Sequence, residues 1–587
     1  MYNCILKGNH LVWNTEFAEA KKYLDPLAKS IPRMAYELAI IPILGSVLSG
    51  DTSLRDESLK AIEAAEHSLY LFNKHSATNL TNLIQELERM DEELYSNNEN
   101  YYNFNEKDHK NFCQLKELTI DQKINNLKLD HEILDGELHL MRGVVQFSSG
   151  SYFKGFYNLR KSYLKFKHVY NIVEPLKSYE KSSNEFIHSD VLHNVYFGMG
   201  IFNFMLSILP PMLTSILSMI GFDADRDHGL ELMKFDHEYG GRQFGVASFM
   251  LSMNYLFIPR ALEDRETKLA IAGGLLEKSE KIFPRSGGFK MMKSHYERKK
   301  GDISNAITSL SEAITICEES MGFMPNILVH ELSWCYFLTE DFEKASHYLN
   351  ILVSSEKDFD TKGISAMLLA ACKLRLGDIE GTNKLIDSFG KYVSKGSRID
   401  KFAAEKVEVF KYLKTEKEKH LMMFMSVFHF LYVKRDLANL QIDIAEPLYE
   451  LFIKTSNEIV IDNHSKLGND IQAGLAVVRG QFLRLLGKHE ESKEEFKKAV
   501  SYEHHIVLEK QWIAFSYYEI GESIYLFESK QVPAEKKEEK LALLKDVKHY
   551  LEKCSKMSGY SFEEVLHSRA KLALKQVNKE ISELSHH

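Results

Sequence analysis

Large and small residues recur along this chain at one spacing from a turn residue. After Glu340 come a large residue two positions on (Phe342), a small one at the fifth (Ala345) and apolar ones at the ninth and twelfth (Leu349, Leu352). The same ladder follows Gly301 (Ile303, Ala306, Leu310, Ala313), Gly377 (Ile379, Thr382, Ile386, Phe389) and Gly487 (His489, Ser492, Phe496, Ala499). Nearer the start it follows Thr15 (Phe17, Ala20, Leu24, Leu27) and Gly150 (Tyr152, Gly155, Leu159, Ser162). A small residue also stands seven positions before five of these turns: Gly143, Ser294, Ser333, Ala370 and Gly480. Steps of three and four place each ladder on one face of a helix. Small residues on facing helices let two backbones approach, while large ones fill the space beside them. The pattern predicts repeated helix–turn–helix pairs. Strand alternation and hairpin-turn signals are missing, so the fold class is all-α.

The turns at Gly301, Glu340 and Gly377 lie 39 and 37 residues apart. This resembles a stretched tetratricopeptide repeat, whose nominal period is about 34. The expected architecture is an irregular tetratricopeptide-like helical-repeat solenoid, compact around a central apolar helix. Five segments follow. Residues 1–78 hold N-terminal helical repeats, and 79–130 form a charged, Asn/Tyr-rich insertion and linker. Residues 131–260 hold a helical repeat plus the central apolar segment, 261–415 the repeat array, and 416–587 the C-terminal repeats and capping helices. Acids outnumber bases in 79–111, which reads as a mobile insertion, either a solvated charged helix followed by a loop or a dedicated partner-binding segment.

The apolar segment is defined by what it lacks. No Asp, Glu, Lys or Arg lies between Asp190 and Asp223, a window of 32 residues in a chain that is 27% charged. A membrane-spanning helix needs about 20 mostly apolar residues. The best run here includes His193, Asn194 and Asn203 and stops at Pro210-Pro211, so no transmembrane span is expected. A helix apolar on every side is otherwise one surrounded by protein. The competing reading is that Phe204, Met205, Ile208 and Leu209, which share one helical face, line a lipid-sized pocket or a membrane-surface contact.

Composition removes several classes of function. A net charge of -9 argues against nucleic acid as a partner. Six scattered cysteines without a C-x-x-C pair read as reduced, buried thiols of a cytoplasmic or nuclear protein. The opening MYNCILKGNHL lacks the basic and long apolar regions of a secretory signal. Asp223, Asp225 and Asp227 alternate like a calcium loop, but His228 and Lys234 stand where the loop needs Gly and Glu. A helix N-terminus, which favours acids, explains the run better. The HEL at His330 lacks a second zinc histidine, because Trp334 occupies its place. Phosphate-loop, dinucleotide and nucleophile-elbow motifs are missing, so the expectation is a protein that is not an enzyme and has no cofactor or metal.

Residues 193–233 also carry a more specific pattern, including Phe197-Gly198, Gly200, Phe202-Asn203, Leu209-Pro210-Pro211, Ile220-Gly221-Phe222 and Gly229-Leu230. It resembles the hallmark segment of the tetratricopeptide repeat protein 39 family, which is grouped with a fungal inclusion-body-clearance protein. The resemblance covers nearly the whole chain, and 79–111 departs from it. It implies a non-catalytic scaffold or adaptor for protein partners, linked to lipid and sterol homeostasis and to protein turnover or inclusion clearance. It also implies peripheral contact with lipid droplets or the mitochondrial outer membrane. A carrier or sensor of a hydrophobic, lipid-like ligand in the central pocket is the second reading.

Overall fold

A computed structural model describes residues 2–51, 53–74, 77–101, 117–177, 183, 185–207, 225–258, 262, 265–356, 359–394, 397–410, 412–413, 415–459, 467–533 and 535–585. Among them the helices run α1 (Asn3–Trp13), α2 (Phe17–Leu24), α3 (Pro32–Ser49), α4 (Ser53–Lys74), α5 (Ala77–Ser96), α6 (Ile120–Ser148), α7 (Tyr152–Leu176) and α8 (Ser189–Ser207). Next come α9 (Arg226–Tyr239), α10 (Phe244–Phe257), α11 (Arg265–Ile282), α12 (Gly287–Lys300), α13 (Ile303–Met321), α14 (Asn326–Leu338), α15 (Phe342–Ser354), α16 (Lys362–Arg375) and α17 (Ile379–Asp387). The chain continues through α18 (Arg398–Phe410), α19 (Glu416–Val433), α20 (Ile442–Asn457), α21 (Gly468–Leu485), α22 (His489–Ser501), α23 (Gln511–Ser523), α24 (Lys537–Lys556) and α25 (Glu563–Ser585). No strand occurs among the described residues. The chain divides into two compact units, whose boundaries are not those of the five segments expected from sequence. The first comprises Met1–Met253, Ala272–Met292 and Glu312–Pro325; the second comprises Asn254–Ile271, Lys293–Ser311 and Asn326–His587.

The repeat ladders rest on one local device. All six turn residues are left-handed, with φ of 62° at Thr15, 76° at Gly150, 86° at Gly301, 57° at Glu340, 80° at Gly377 and 76° at Gly487. Each turn N–H donates three residues back and the next N–H five residues back, as in Gly301 to Arg298 with Asp302 to Glu297, and Glu340 to Phe337 with Asp341 to Tyr336. This Schellman arrangement satisfies the orphan carbonyls of the first helix. An aspartate then caps the second helix at three turns. Asp302, Asp341 and Asp378 accept from the N–H groups of Asn305, Lys344 and Gly381 at 3.0, 3.0 and 2.9 Å. The small residues sit where the two helices touch. A Cβ on Gly143 would lie 3.1 Å from the Gly155 carbonyl, and the Ser492 hydroxyl donates to the Gly480 carbonyl at 2.7 Å.

In the first unit, Trp13 packs with Phe249, Phe283 and Phe289 at ring distances of 6.3, 6.3 and 5.8 Å. Part of the expected mobile insertion is core. Leu83, Ile84, Leu87, Met90 and Leu94 of α5 are buried against residues that include Cys4, Ile5 and Val12 of α1. Asp91 accepts the N–H groups of Asn3 and Cys4 at 3.0 and 2.7 Å, a carboxylate on a helix N-terminus. The apolar residues recur at helical steps within a mostly polar stretch, so the charge count concealed a buried stripe. Residues 102–116 lie outside the described residues.

The second unit has its own buried helix, α19, whose residues from Met422 to Tyr432 are all buried. A carboxylate sets where α23 begins in this unit. Asp470 accepts the N–H groups of Val507, Leu508 and Glu509 at 3.0, 2.7 and 2.7 Å. Those bonds satisfy the backbone outside a helix, and α23 begins only at Gln511.

Candidate functional site

A concavity of about 860 Å³ lies in the first unit, where α2, α3, α4 and the end of α13 meet. Leu54, Glu57, Ala61, Ala64, Ser68 and Leu71 line it from α4, at the three- and four-residue steps of one helix face. Leu38, Ile41, Pro42 and Gly45 form the α3 wall. Alanines and a glycine at these positions leave space that larger side chains would fill. Pro42 lacks an N–H, so the Leu38 carbonyl loses its helical donor within this wall. Phe17 N–H donates to the Ser320 hydroxyl at 3.1 Å and secures the remaining wall, to which Met321 and Phe323 contribute. The floor is apolar and the rim is charged. Exposed Lys21, Asp25 and Lys29 follow one another at four-residue steps along α2 and the turn after it, and Glu57 stands on α4. These four make no ion pair among the described residues.

Below the surface of the same unit lies a cluster of buried charges. Arg33 donates to Asp130 through Nε at 2.8 Å and Nη2 at 2.6 Å, and to Glu137 through Nη1. Arg242 donates to both Glu137 oxygens at 3.1 Å. Tyr36 lies beneath both guanidiniums, at 5.8 and 5.9 Å. Burial opposes the ionised form of Asp130, yet Arg33 and Arg242 beside it hold its carboxyl below the ordinary value. The charges satisfy one another, so the cluster reads as structural. Asp236 is one exception, raised well above its ordinary value by burial, and Glu37 is the other. Burial pushes it up to about 7, against the pull of Arg242 and of the bond from Asn9. Its ionised form therefore costs stability above pH 7, and the penalty is relieved as pH falls from 7 towards the unfolded value near 4.5. Glu37→Gln should raise the stability of the chain at pH 8, by up to about 3 kcal/mol, and lose the advantage below about pH 4.5. Urea titrations at both pH values check this; equal stabilities at pH 8 would refute it.

The structure splits the sequence-predicted residues. Phe204 is 0% exposed and Met205 is half-buried on α8, while Ile208 and Leu209 lie outside the described residues. Neither Phe204 nor Met205 lines the groove. The hallmark glycines explain the burial of Phe204. A Cβ on Gly200 would come 2.9 Å from the Gly229 carbonyl, and one on Gly229 would come 2.8 Å from the Phe204 nitrogen. Helices α8 and α9 thus touch backbone to backbone around it. Asp225 caps α9 by accepting the His228 N–H at 3.0 Å, as the helix-terminus reading of the acidic run requires. No described helix is long and apolar enough to cross a membrane. The groove went unnoticed in the sequence, although the α4 stripe was a signal for it.

The six closed helical hairpins define a helical-repeat protein of the tetratricopeptide class. A family model matches residues 6–451. The chain belongs to the Iml2/Tetratricopeptide repeat protein 39 family. Similar solved structures include the human IFIT1 dimer with PPP-AAAA, 12% identical, with 85% of this chain and 94% of that one covered and a TM-score of 0.32. The tetratricopeptide domain of P58(IPK) is 13% identical over 76% of this chain and 99% of that one, at a TM-score of 0.16. Likenesses this loose carry no argument about function.

Proposed function

We propose that this chain is a non-catalytic scaffold that holds a short amphipathic helix of another protein in the groove between α2, α3 and α4. The groove is the observation that carries this reading. Its volume, about 860 Å³, falls in the range where pockets hold ligands or anchor side chains, about 300–1,000 Å³. An apolar floor between rim charges suits a helix with one apolar face and charged flanks. Lys21 and Lys29 favour acids on one flank, and Glu57 favours a base on the other. Family membership supports an interaction role. By resemblance, the work of the scaffold is lipid and sterol homeostasis and protein turnover or inclusion clearance, on the cytoplasmic side.

A photo-crosslinking amino acid at Ala64, exposed on the groove wall, tests this in cells. The expected product is an adduct to a partner peptide, and Ala61→Trp, which fills the groove, should remove it. A lipid adduct, with lipid co-extracting at one per chain, would replace the scaffold with a carrier of a hydrophobic ligand.

A further inference from the structure

The second helix of the Gly150 hairpin turns an unusual face to solvent. On α7, Phe153, Tyr157, Arg160, Leu164 and Lys167 recur at steps of three and four, which sets them in one stripe, and all are exposed. Phe153 is 93% exposed, Tyr157 57% and Leu164 48%. The opposite face, with Leu159, Phe166, Val169 and Val173, is buried in the first unit. Lys154 and Lys161 flank the stripe and are exposed too.

The charge on this face is one-sided. The single acid of α7, Glu174, is bonded to Lys177 and Tyr196. Most nearby acids of α4 and α6 are already matched by a fixed cation: Glu63 and Glu66 with Arg142, and Asp135 with Lys165. Lys154, Arg160, Lys161 and Lys167 make no ion pair among the described residues. Lys161 and Lys167 lie over the rings of Tyr157 and Tyr163 at 4.7 and 5.5 Å. In a chain of net charge -9, this is a locally basic surface set with aromatic rings.

We propose that this face of α7 docks on an anionic lipid bilayer. Two observations select the bilayer as occupant. Phe153 is 93% exposed, and the open concavity it borders with Glu66, His139, Arg142, Gln146 and Tyr157 leaves most of the ring in solvent, so a protein partner would have to supply the rest of the pocket. A bilayer interface accepts an isolated aromatic side chain anywhere in its plane. The four unpaired cations beside the ring complement the negative surface of anionic headgroups, where each adds about fivefold in binding. Phe153 and Tyr157 then sit at headgroup level, and Lys154, Arg160, Lys161 and Lys167 meet lipid phosphates. The contact does not use the groove, so a partner helix and a membrane could be held together.

Co-flotation of the purified full-length chain tests this, using phosphatidylcholine vesicles with and without about 30% phosphatidylserine. The expected result is at least about tenfold stronger binding to the anionic vesicles, weakened by raising salt from about 0.1 to about 0.5 M. The exposed charge reversal R160E/K161E/K167E should lower that binding by about 100-fold or more. Phe153→Ala should lower it about tenfold, and both variants should melt like wild type. Equal binding to neutral vesicles, or variants that bind like wild type, would overturn the proposal. So would a charge reversal that keeps vesicle binding and loses only binding to polyuridylate or polyglutamate.

Discussion

Arg33→Met will lower the stability of the first unit by about 3–5 kcal/mol. Methionine keeps much of the arginine's length but none of its donors. In the native protein those donors reach both carboxylate oxygens of Asp130, its carbonyl at 2.7 Å, and Glu137. Without them, the two buried carboxylates share Arg242 as cation, 3.8 Å from Asp130, and only Glu137 keeps a further donor, Gln243. Removing one partner of a buried ion cluster leaves an uncompensated charge, and that loss exceeds the net worth of the intact pair. The effect has a pH signature. Asp130 is held below its ordinary value, so its contribution is present above about pH 4 and lost as pH falls through the depressed value. Without Arg33, burial instead raises the same carboxylate, so the variant's penalty is relieved as pH falls towards about 4 and the gap to wild type narrows there. Hydrogen exchange and thermal melting at pH 7 and pH 4 measure both effects. An unchanged melt at pH 7 would mean that the cluster does not hold the helices together.

Ala345→Arg will destabilise the second unit by roughly 3 kcal/mol or more. Ala345 is the small residue of the Glu340 hairpin and is fully buried. On either side of it, α14 and α15 are in contact through Phe337 with Phe342 at 5.6 Å and Tyr336 with Tyr348 at 5.9 Å. Arginine would force a long side chain between these helices and bury a charge without a partner. Ala345→Gly serves as the control, since it keeps the close approach and loses only helix propensity, about 1 kcal/mol. Calorimetry should rank wild type above glycine and glycine well above arginine. An arginine variant that melts with wild type would sink the hairpin assignment at this position.

What the sequence revealed, and what it hid, follows from how local each cause is. A left-handed turn and a small residue five positions on are properties of a single stretch, so six hairpins were legible. The turn at Arg435 escaped, although its φ is 62° and its N–H and that of Asp436 donate to Tyr432 and Leu431 in the same way. Arginine is a rare occupant of that conformation, and a short turn over Leu437–Asn439 delays the next helix to Ile442. Helix α5 was misjudged because its charges were counted without regard to the face its leucines share. Phe204 was legible as apolar, but its burial depends on a glycine pair from two helices. The groove was hidden for a different reason. It is a volume left unfilled by three helices, and small residues on α4 reveal it only once α2 and α3 stand opposite.

The buried thiols give the molecule an internal clock. Cys4, Cys317, Cys335, Cys372 and Cys554 are free and buried. Burial pushes their thiols up, to about 11 at Cys335 and about 12 at Cys317 and Cys554, and well above the ordinary value at Cys4 and Cys372 too. Thiolate is the reactive form, so an alkylating reagent will mark each cysteine only when its surroundings open. Cys4 and Cys317 fall in the first unit, and Cys335, Cys372 and Cys554 in the second. The order in which mass spectrometry finds them alkylated in dilute denaturant is therefore a record of which unit breathes first, written by the unmodified protein without a single engineered probe.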